Sequence, residues 1–383
     1  MACGIGSVAI AGAGIGGLTL AVALRRRGLF VTVIERASEL RPIGAGLGLG
    51  PNAIKGFERL DLTSAVVRVG ATIRRAAVLD SRGRPLGADI DVTRLEHEVG
   101  APQIAIHRGR LHEALLAALG PDVVQLSTAV TGYIHGDSTV GVTTEAGERL
   151  EADLLVGADG LHSAVRAQLV GDGDPLYAGY TSWRGVTPAG AVAPPPRMTE
   201  SWGRGERFGM VDIGFGEIYW FAVANAPPRG ADTDLHRDLL ARFGGWHDPI
   251  AAIIAATPAA RIVRTDIMDR APINRWHEGR VVLLGDAAHP MTPNLGQGAG
   301  QAIEDAVVLD DCLSTEATVE AALGRYERRR VARANALVRG SRRLGAVAQW
   351  QNPSAAWLRD TLMRLTPAPV VHALSRRLLE TDF

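Results

Sequence analysis

Residues 7–35 admit few folds. Residues 7–11 (SVAIA) are a short apolar strand bounded by glycines, and Gly12-Ala13-Gly14-Ile15-Gly16-Gly17 follows. A helical run over 18–27 comes next, Gly28 ends it, and a second strand over 31–35 (VTVIE) finishes on an acid. Strand, glycine turn, helix and strand make a βαβ unit, so an α/β chain with a Rossmann-type domain is expected. In that setting the first glycine allows the tight turn, the second lets a pyrophosphate approach the backbone, and the third lets helix and strand pack closely. Glu35, 18 positions after Gly17, is placed to bond a pair of ribose hydroxyls. Arg36 beside it can mark a 2′-phosphate, but the acid before it argues for an unphosphorylated ribose. FAD or NAD is therefore expected over NADP at this site.

A second fixed point is the stretch 281–305, VVLLGDAAHPMTPNLGQGAGQAIED. It begins as an apolar strand, breaks into a Gly/Pro loop and re-enters a helix near Gly296. Asp286 falls just past the strand end, where a carboxylate can accept hydrogen bonds from ligand hydroxyls. Pro290 and Pro293 stiffen the loop, since each fixes its own φ and restricts the residue before it. Gly296, Gly298 and Gly300 leave backbone N–H groups uncovered at a helix start, a site for an anion or an electron-rich carbonyl. Residues 153–166 (DLLVGADGLHSAVR) repeat the strand–glycine–helix pattern, with Ser163 and Arg166 on one helix face.

The remaining chain supplies walls. The alternate glycines of 44–50 are poor strand material and suit an extended segment pressed flat against a ligand, with a helix from Pro51 to about Leu60. Residues 74–80 read as a strand and 108–119 as an amphipathic helix. Residues 123–127, 130–135 and 140–144 read as a β-meander. From about Tyr177 the strand candidates are aromatic-rich: 180–187, 200–202, 207–213 and 217–224, then short helices at 234–243 and 249–256 and a strand at 262–269. Trp183, Trp202, Phe208, Phe215, Tyr219, Trp220 and Phe221 are expected to form one wall of an apolar pocket. A long helix over about 317–348 carries Arg325, Arg328–Arg330 and Arg333 on a face read as solvated, and two amphipathic helices follow, at about 355–364 and 369–379.

Composition narrows the function. Formal net charge is zero and Lys55 is the only lysine, so no global field favours nucleic acid. Two cysteines, Cys3 and Cys312, give neither a disulfide framework nor metal-ligand spacing, and fit a reducing cytoplasm. The cluster Arg25–Arg27 follows the N-terminal apolar run instead of preceding it, unlike a signal peptide, and no run reaches the length of a membrane span.

Three motifs in this order, GAGIGG with Glu35, DLLVGADGLHSAVR and GRVVLLGDAAHPMTPNLGQGAGQAIED, resemble those of the group A flavoprotein monooxygenases, the p-hydroxybenzoate hydroxylase superfamily. The first is common to Rossmann proteins; the second and third together are specific, and the resemblance spans essentially the whole chain. Salicylate, 3-hydroxybenzoate and urate hydroxylases are nearest in character. The resemblance implies a discontinuous FAD-binding domain (1–75, 101–176 and 272–330), an inserted β-sheet substrate domain (76–100 and 177–271) and C-terminal helices (331–383). It implies that Gly12, Gly14, Gly17 and Glu35, with Arg36 alongside, hold the ADP half of non-covalent FAD. Gly46 and Arg108 would contact the flavin side, and Asp159 and Gly160 lie in a motif tied to FAD and NAD(P)H. Asp286 would bond the ribityl chain, Pro293 would border the flavin carbon that carries oxygen, and Gly296, Gln297 and Gly298 would hold the pyrimidine edge.

By the same resemblance, NADH or NADPH binds transiently, reduces the flavin, and O₂ adds to give a C4a-hydroperoxide that hydroxylates a small aromatic or phenolic substrate. Arg207 and Tyr219 match an Arg and a Tyr that face substrate in urate-hydroxylase-like relatives. On the residues alone, Arg207 is open between an anionic substrate and a salt bridge to Glu206 or Glu217, and Tyr219 between substrate and core. His289 reads as a structural hydrogen-bonding residue rather than a base. An FAD protein of the same fold that does not oxygenate, of prenyl-chain reductase type, and a flavin-binding protein without turnover remain alternatives. Monomer and homodimer are equally compatible with the sequence.

Overall fold

The computed structural model describes residues 3–40 and 45–381. Gly44, the first glycine of the alternating run, lies outside them.

Ser7–Ala11 sits inside a six-stranded sheet, with Phe30–Ile34 and then Val124–Gln125 on one side. On its other side lie Leu154–Gly157, Val281–Leu283 and His277–Glu278. All pairs are parallel except His277–Glu278 against Val281–Leu283. Leu154–Gly157 and Val281–Leu283 are buried throughout, as strands covered on both faces must be. The helix Ile15–Arg26 buries ten consecutive residues, Ile15 to Leu24, against the sheet and its neighbours. The loops of all three sequence motifs therefore leave the C-terminal ends of three adjacent parallel strands, at one end of one sheet.

The expected β-meander divides. Val130–His135, Val140–Thr144 and Arg149–Ala152 form a separate antiparallel sheet. Val124–Gln125 instead pairs in parallel with Val33 and Ile34, at the edge of the main sheet. A two-residue strand carries too little pattern to declare its partner; the backbone bonds of Val33 to Val123 and of Glu35 to Gln125 decide it.

The glycine run is also a correction. Gly46–Leu49 is a strand, paired antiparallel with Ile104–His107, which also pairs with Gly70–Thr72. Glycine is required here by close approach: a Cβ on Gly46 would lie 2.5 Å from the Tyr219 ring.

A seven-stranded sheet runs in the order Ile262–Asp269, Leu176–Thr187, Ile218–Asn225, Glu206–Asp212, Met198–Trp202, Arg75–Asp80, Ile90–Asp91. The aromatic residues do not form a single wall. Strand period two sends Trp183, Phe208 and Trp220 to one face, where they pack with Phe243, Ile250, Ile253 and Ile254 of the short helices. Phe208 and Trp220 stack there with centroids 5.5 Å apart. Tyr180, Arg184, Arg207, Tyr219 and Phe221 belong to the opposite face, by the register Arg184↔Phe221, Arg207↔Val223 and Val211↔Tyr219.

The long helix is Val319–Ala348, capped by Thr318 through the N–H of Ala321. Its arginines are not all solvated. Arg330 is 2% exposed; it bonds Asp305 at 2.6 Å and Gln301 at 2.6 Å, and pairs with Glu304. Arg333 adds a bond to Glu304 at 2.9 Å, and Arg329 pairs with Asp311. Burial by itself pushes the Asp305 carboxyl up, but His289 and Arg330 outweigh it and bring it down to about 2. A depressed native pKa means stability that is complete above the ordinary carboxylate value of about 4 and lost as pH falls through about 2. Acid titration of the folded protein should show a loss of stability in that window, and Asp305→Asn should remove this component; an unchanged acid limb in the variant would contradict the assignment.

Candidate active site

The glycine turn separates fold requirements from open space. Gly12 has φ 101°, and a Cβ there would sit 2.4 Å from the carbonyl oxygen of Ala158. A Cβ on Gly17 would sit 2.2 Å from the carbonyl oxygen of Gly12. Gly14, the N-cap of the helix, would meet nothing within 4 Å. No side chain caps that helix and no acid lies in its first turn, so its leading N–H groups and positive dipole end face the space beside Gly14. Glu35 closes the turn, its two carboxylate oxygens accepting from the N–H groups of Ala13 and Ala37, each at 2.9 Å. Arg36 is exposed.

Asp159 stands next to this turn, its Cα 3.0 Å from where a Gly12 Cβ would be. Its carboxylate caps the helix Ala164–Val170, accepting from Ser163 Oγ at 2.5 Å and the Ala164 N–H at 2.8 Å. Gly160, at φ 80°, makes the turn possible. From the same helix Arg166, fully buried, donates to the carbonyls of Ala287 at 3.1 Å and Ala288 at 2.9 Å. The second motif is thus a brace for the third.

The 281–305 loop is held from below and bare above. Asp305 Oδ2 accepts from the Gly285 N–H at 2.9 Å and lies 2.5 Å from His289 Nε2. His289 is wholly buried against Trp276, as a structural residue would be. Asp286, three residues past the strand, turns the other way: its side chain is exposed and has no hydrogen-bond partner among the described residues. The walls around it remove water from the carboxyl and raise its pKa, while His289 and Arg108 pull in the opposite direction. Arg108, at the start of Arg108–Leu119, is likewise exposed with no ion pair among the described residues. Gly296 is left-handed at φ 63°, and the helix Gly298–Thr315 starts with no side-chain cap. Gln297 is fixed by Asn52, whose Nδ2 donates to it at 3.0 Å and to Glu304 at 2.6 Å.

Pro293 is exposed on a tight 3-10 turn, Pro293–Leu295. Asn294 fastens this turn to two elements, donating to Tyr180 Oη and the Ser341 carbonyl, each at 2.9 Å, and closes on the turn's own cap, Thr292 Oγ1, at 2.8 Å. Arg207 completes the clamp, and its partners differ from those expected. Glu206 pairs with Arg242 and Glu217 with Arg110. Arg207, 3% exposed, bonds Glu200 at 3.0 Å, Gln349 at 2.8 Å and Asn294 at 2.8 Å. Each guanidinium nitrogen already has a protein partner, so Arg207 anchors the Pro293 turn to the sheet. Tyr219, on the same sheet face, lies over Gly46; its hydroxyl has no hydrogen-bond partner among the described residues, and burial raises its pKa.

Two further residues stand out. Arg184 is half-buried on the face of Tyr219 and Phe221, without an ion pair or hydrogen bond among the described residues. Strand alternation in 180–187 carries the signal for it. Asn52 is fully buried beneath Gln297, and nothing in its local sequence announces a partner 245 positions away.

The chain matches the family described as FAD binding domain over residues 6–341. It is 50% identical, over 98% of each chain, to aurachin C monooxygenase/isomerase of Stigmatella aurantiaca. It is 36% identical to 3-amino-4-hydroxybenzoate 2-monooxygenase of Streptomyces cremeus, over 94% of this chain and 92% of the other. The solved structure of Klebsiella pneumoniae HpxO complexed with FAD and uric acid superposes with a TM-score of 0.90 at 31% identity, covering 97% of this chain and 96% of that one.

Proposed function

Because this chain belongs to the FAD-binding domain family and is an FAD-dependent, NAD(P)H-using monooxygenase, we propose that its substrate is an aromatic or heterocyclic molecule bearing an acidic or carbonyl oxygen. The observation that carries this reading is the pair Arg184 and Tyr219, a cation and a hydroxyl without protein partners on one half-buried sheet face. A half-buried cation favours a counter-charge, and a half-buried hydroxyl a hydrogen bond. The relatives named for 3-amino-4-hydroxybenzoate and crystallised with uric acid act on or hold molecules of this kind.

The residues fit the cofactor. Open space at Gly14, the uncapped helix beside it and the acid Glu35 at the end of the second strand suit the ADP half, with Gly12 and Gly17 forming the turn and Arg36 at its rim. Asp159 and Gly160 shape the neighbouring turn. The unpartnered Asp286 and Arg108 suit the linking chain and its polar groups. The Gly296 N–H, expected to be bare, donates instead to the Pro293 carbonyl at 2.9 Å and closes the turn, which leaves the N–H groups of Gln297 and Gly298 to suit a negatively charged ring edge. Bound FAD supplies the two-electron chemistry with NAD(P)H and O₂; the protein supplies position and environment. We take Pro293 to border the reacting edge, Gly46 to let Tyr219 pack close against the strand beside the ring, and Arg207 to act as a positioning residue through Asn294. The strands of 177–271 then serve as the substrate side, closing water away from the reacting atoms.

Arg184→Met should raise KM for an acidic aromatic substrate about 10- to 100-fold with a smaller change in kcat, the effect of losing one charge-assisted hydrogen bond used in binding. Steady-state kinetics on the FAD-loaded enzyme check this, and an unchanged KM would remove Arg184 from the substrate site. The substrate class itself is tested by mixing the oxidised protein with NAD(P)H and a panel of aromatic acids, phenols and heterocyclic ketones. Authentic ligands should accelerate flavin bleaching strongly. Acceleration by neutral hydrocarbons alone would overturn the reading.

A further inference from the structure

Six of the twelve large hydrophobic residues exposed among the described residues fall between 357 and 374. They lie on two helices, Pro353–Leu365 and Ala368–Leu379. The first helix is apolar on two sides. Ala356 and Met363 pack inward, and buried Arg359 donates to the carbonyls of Ala348 and Gly203, both at 2.9 Å. Trp357 (67% exposed), Leu358, Leu362 (57%) and Leu365 (72%) take the helical positions that point away from the body. The second helix is held by His372 to Glu98 and by buried Leu379 beside Gly50, leaving Val370 and Leu374 (63%) outward. Leu365 and Val370 flank the Thr366-Pro367 corner, so the apolar surface continues from one helix to the next.

Charge indicates what covers it. Over residues 353–380, the two helices with their closing cap, there are four arginines against two carboxylates, Asp360 and Glu380, while the whole chain is neutral. Asp360 is engaged with Arg359, so Arg364, Arg376 and Arg377, all exposed, dominate the rim; Arg364 and Arg376 have distant or exposed acidic partners in Asp80 and Glu380. A second copy docked face to face across a two-fold axis would set this basic rim against itself. No helix among the described residues is long and apolar enough to cross a membrane. A Trp/Leu face with an arginine border is the composition of a helix lying in the plane of an interface.

We propose that these two helices form an interfacial foot that seats the enzyme on an anionic lipid bilayer. The leucines and Trp357 enter the headgroup–acyl boundary, and the arginines meet lipid phosphates. The test is flotation of the full-length, FAD-loaded protein with vesicles of phosphatidylcholine alone or mixed with phosphatidylglycerol, at low and high salt. The protein should float with the mixed vesicles, less with the neutral ones, and less at high salt. Trp357→Ser combined with Leu362→Ser and Leu365→Ser should weaken vesicle binding at least ~10-fold while flavin content and melting temperature stay unchanged. Arg376→Glu with Arg377→Glu should remove the preference for the anionic lipid. Failure of the wild type to float, or equal flotation of the triple variant, overturns the proposal. So does a dimer, seen by light scattering, that the triple variant converts to monomer without any vesicle binding.

Discussion

Replacing Arg330 by methionine should destabilise the folded protein by about 3–5 kcal/mol, the range for stripping one partner from a buried charge cluster. Glu304 and Asp305 are wholly buried, and each makes an ion pair with Arg330. Arg333 still reaches Glu304 and His289 still reaches Asp305, so the cluster is weakened and not emptied. The consequence reaches the cleft, because Asp305 also fixes the Gly285 N–H and Glu304 fixes Asn52 under Gln297. Urea unfolding at one fixed FAD concentration measures the loss, since bound cofactor adds stability by mass action. Arg328→Met on the exposed side of the same helix should stay within about 0.5 kcal/mol of wild type. Equal effects of the two substitutions would contradict the assigned role of the cluster.

Gly14→Val and Gly17→Val should fail in different ways. A side chain at Gly17 must displace the backbone of Gly12, 2.2 Å from its Cβ, so this variant should not fold to a stable sheet. Gly14 has φ −71°, which any residue adopts, and open space beyond it. Gly14→Val should therefore fold, keep the melting temperature of the FAD-free wild type, and lose FAD affinity at least ~100-fold, a change of about 2.8 kcal/mol. Flavin absorbance after gel filtration, alongside circular dichroism, separates the outcomes. Retention of FAD by Gly14→Val would move the pyrophosphate away from this turn.

These contrasts mark where sequence reading holds and where it stops. The glycine turn, the strand at 281–283 and the helix Arg108–Leu119 were legible because each is specified by local chemistry: positive φ, a buried apolar run, a helical stripe. The main strands of the large sheet were legible as strands, but not which way their aromatics faced, since burial on both faces removes the polar–apolar alternation that orients a strand. Arg330 reads like its neighbours Arg328 and Arg329 in sequence; only the packing of the helix Val319–Ala348 on Gly298–Thr315 buries it. Arg207 was recognisable as a residue of interest, yet its partners Gln349 and Asn294 lie 142 and 87 positions away. Alternation along 180–187 could place Arg184 on the face opposite Trp183, but its nearness to Tyr219 and Phe221 needed the register Arg184↔Phe221, a tertiary fact.

The central claim is that this site directs one atom of O₂ to a bound aromatic or heterocyclic substrate at the expense of NAD(P)H. Mass spectrometry of product formed under ¹⁸O₂, in a substrate that accelerates NAD(P)H oxidation, tests it most directly. One heavy oxygen at the new, non-exchanging hydroxyl is predicted. Product formed without O₂, or oxygen drawn from labelled water, would contradict the account.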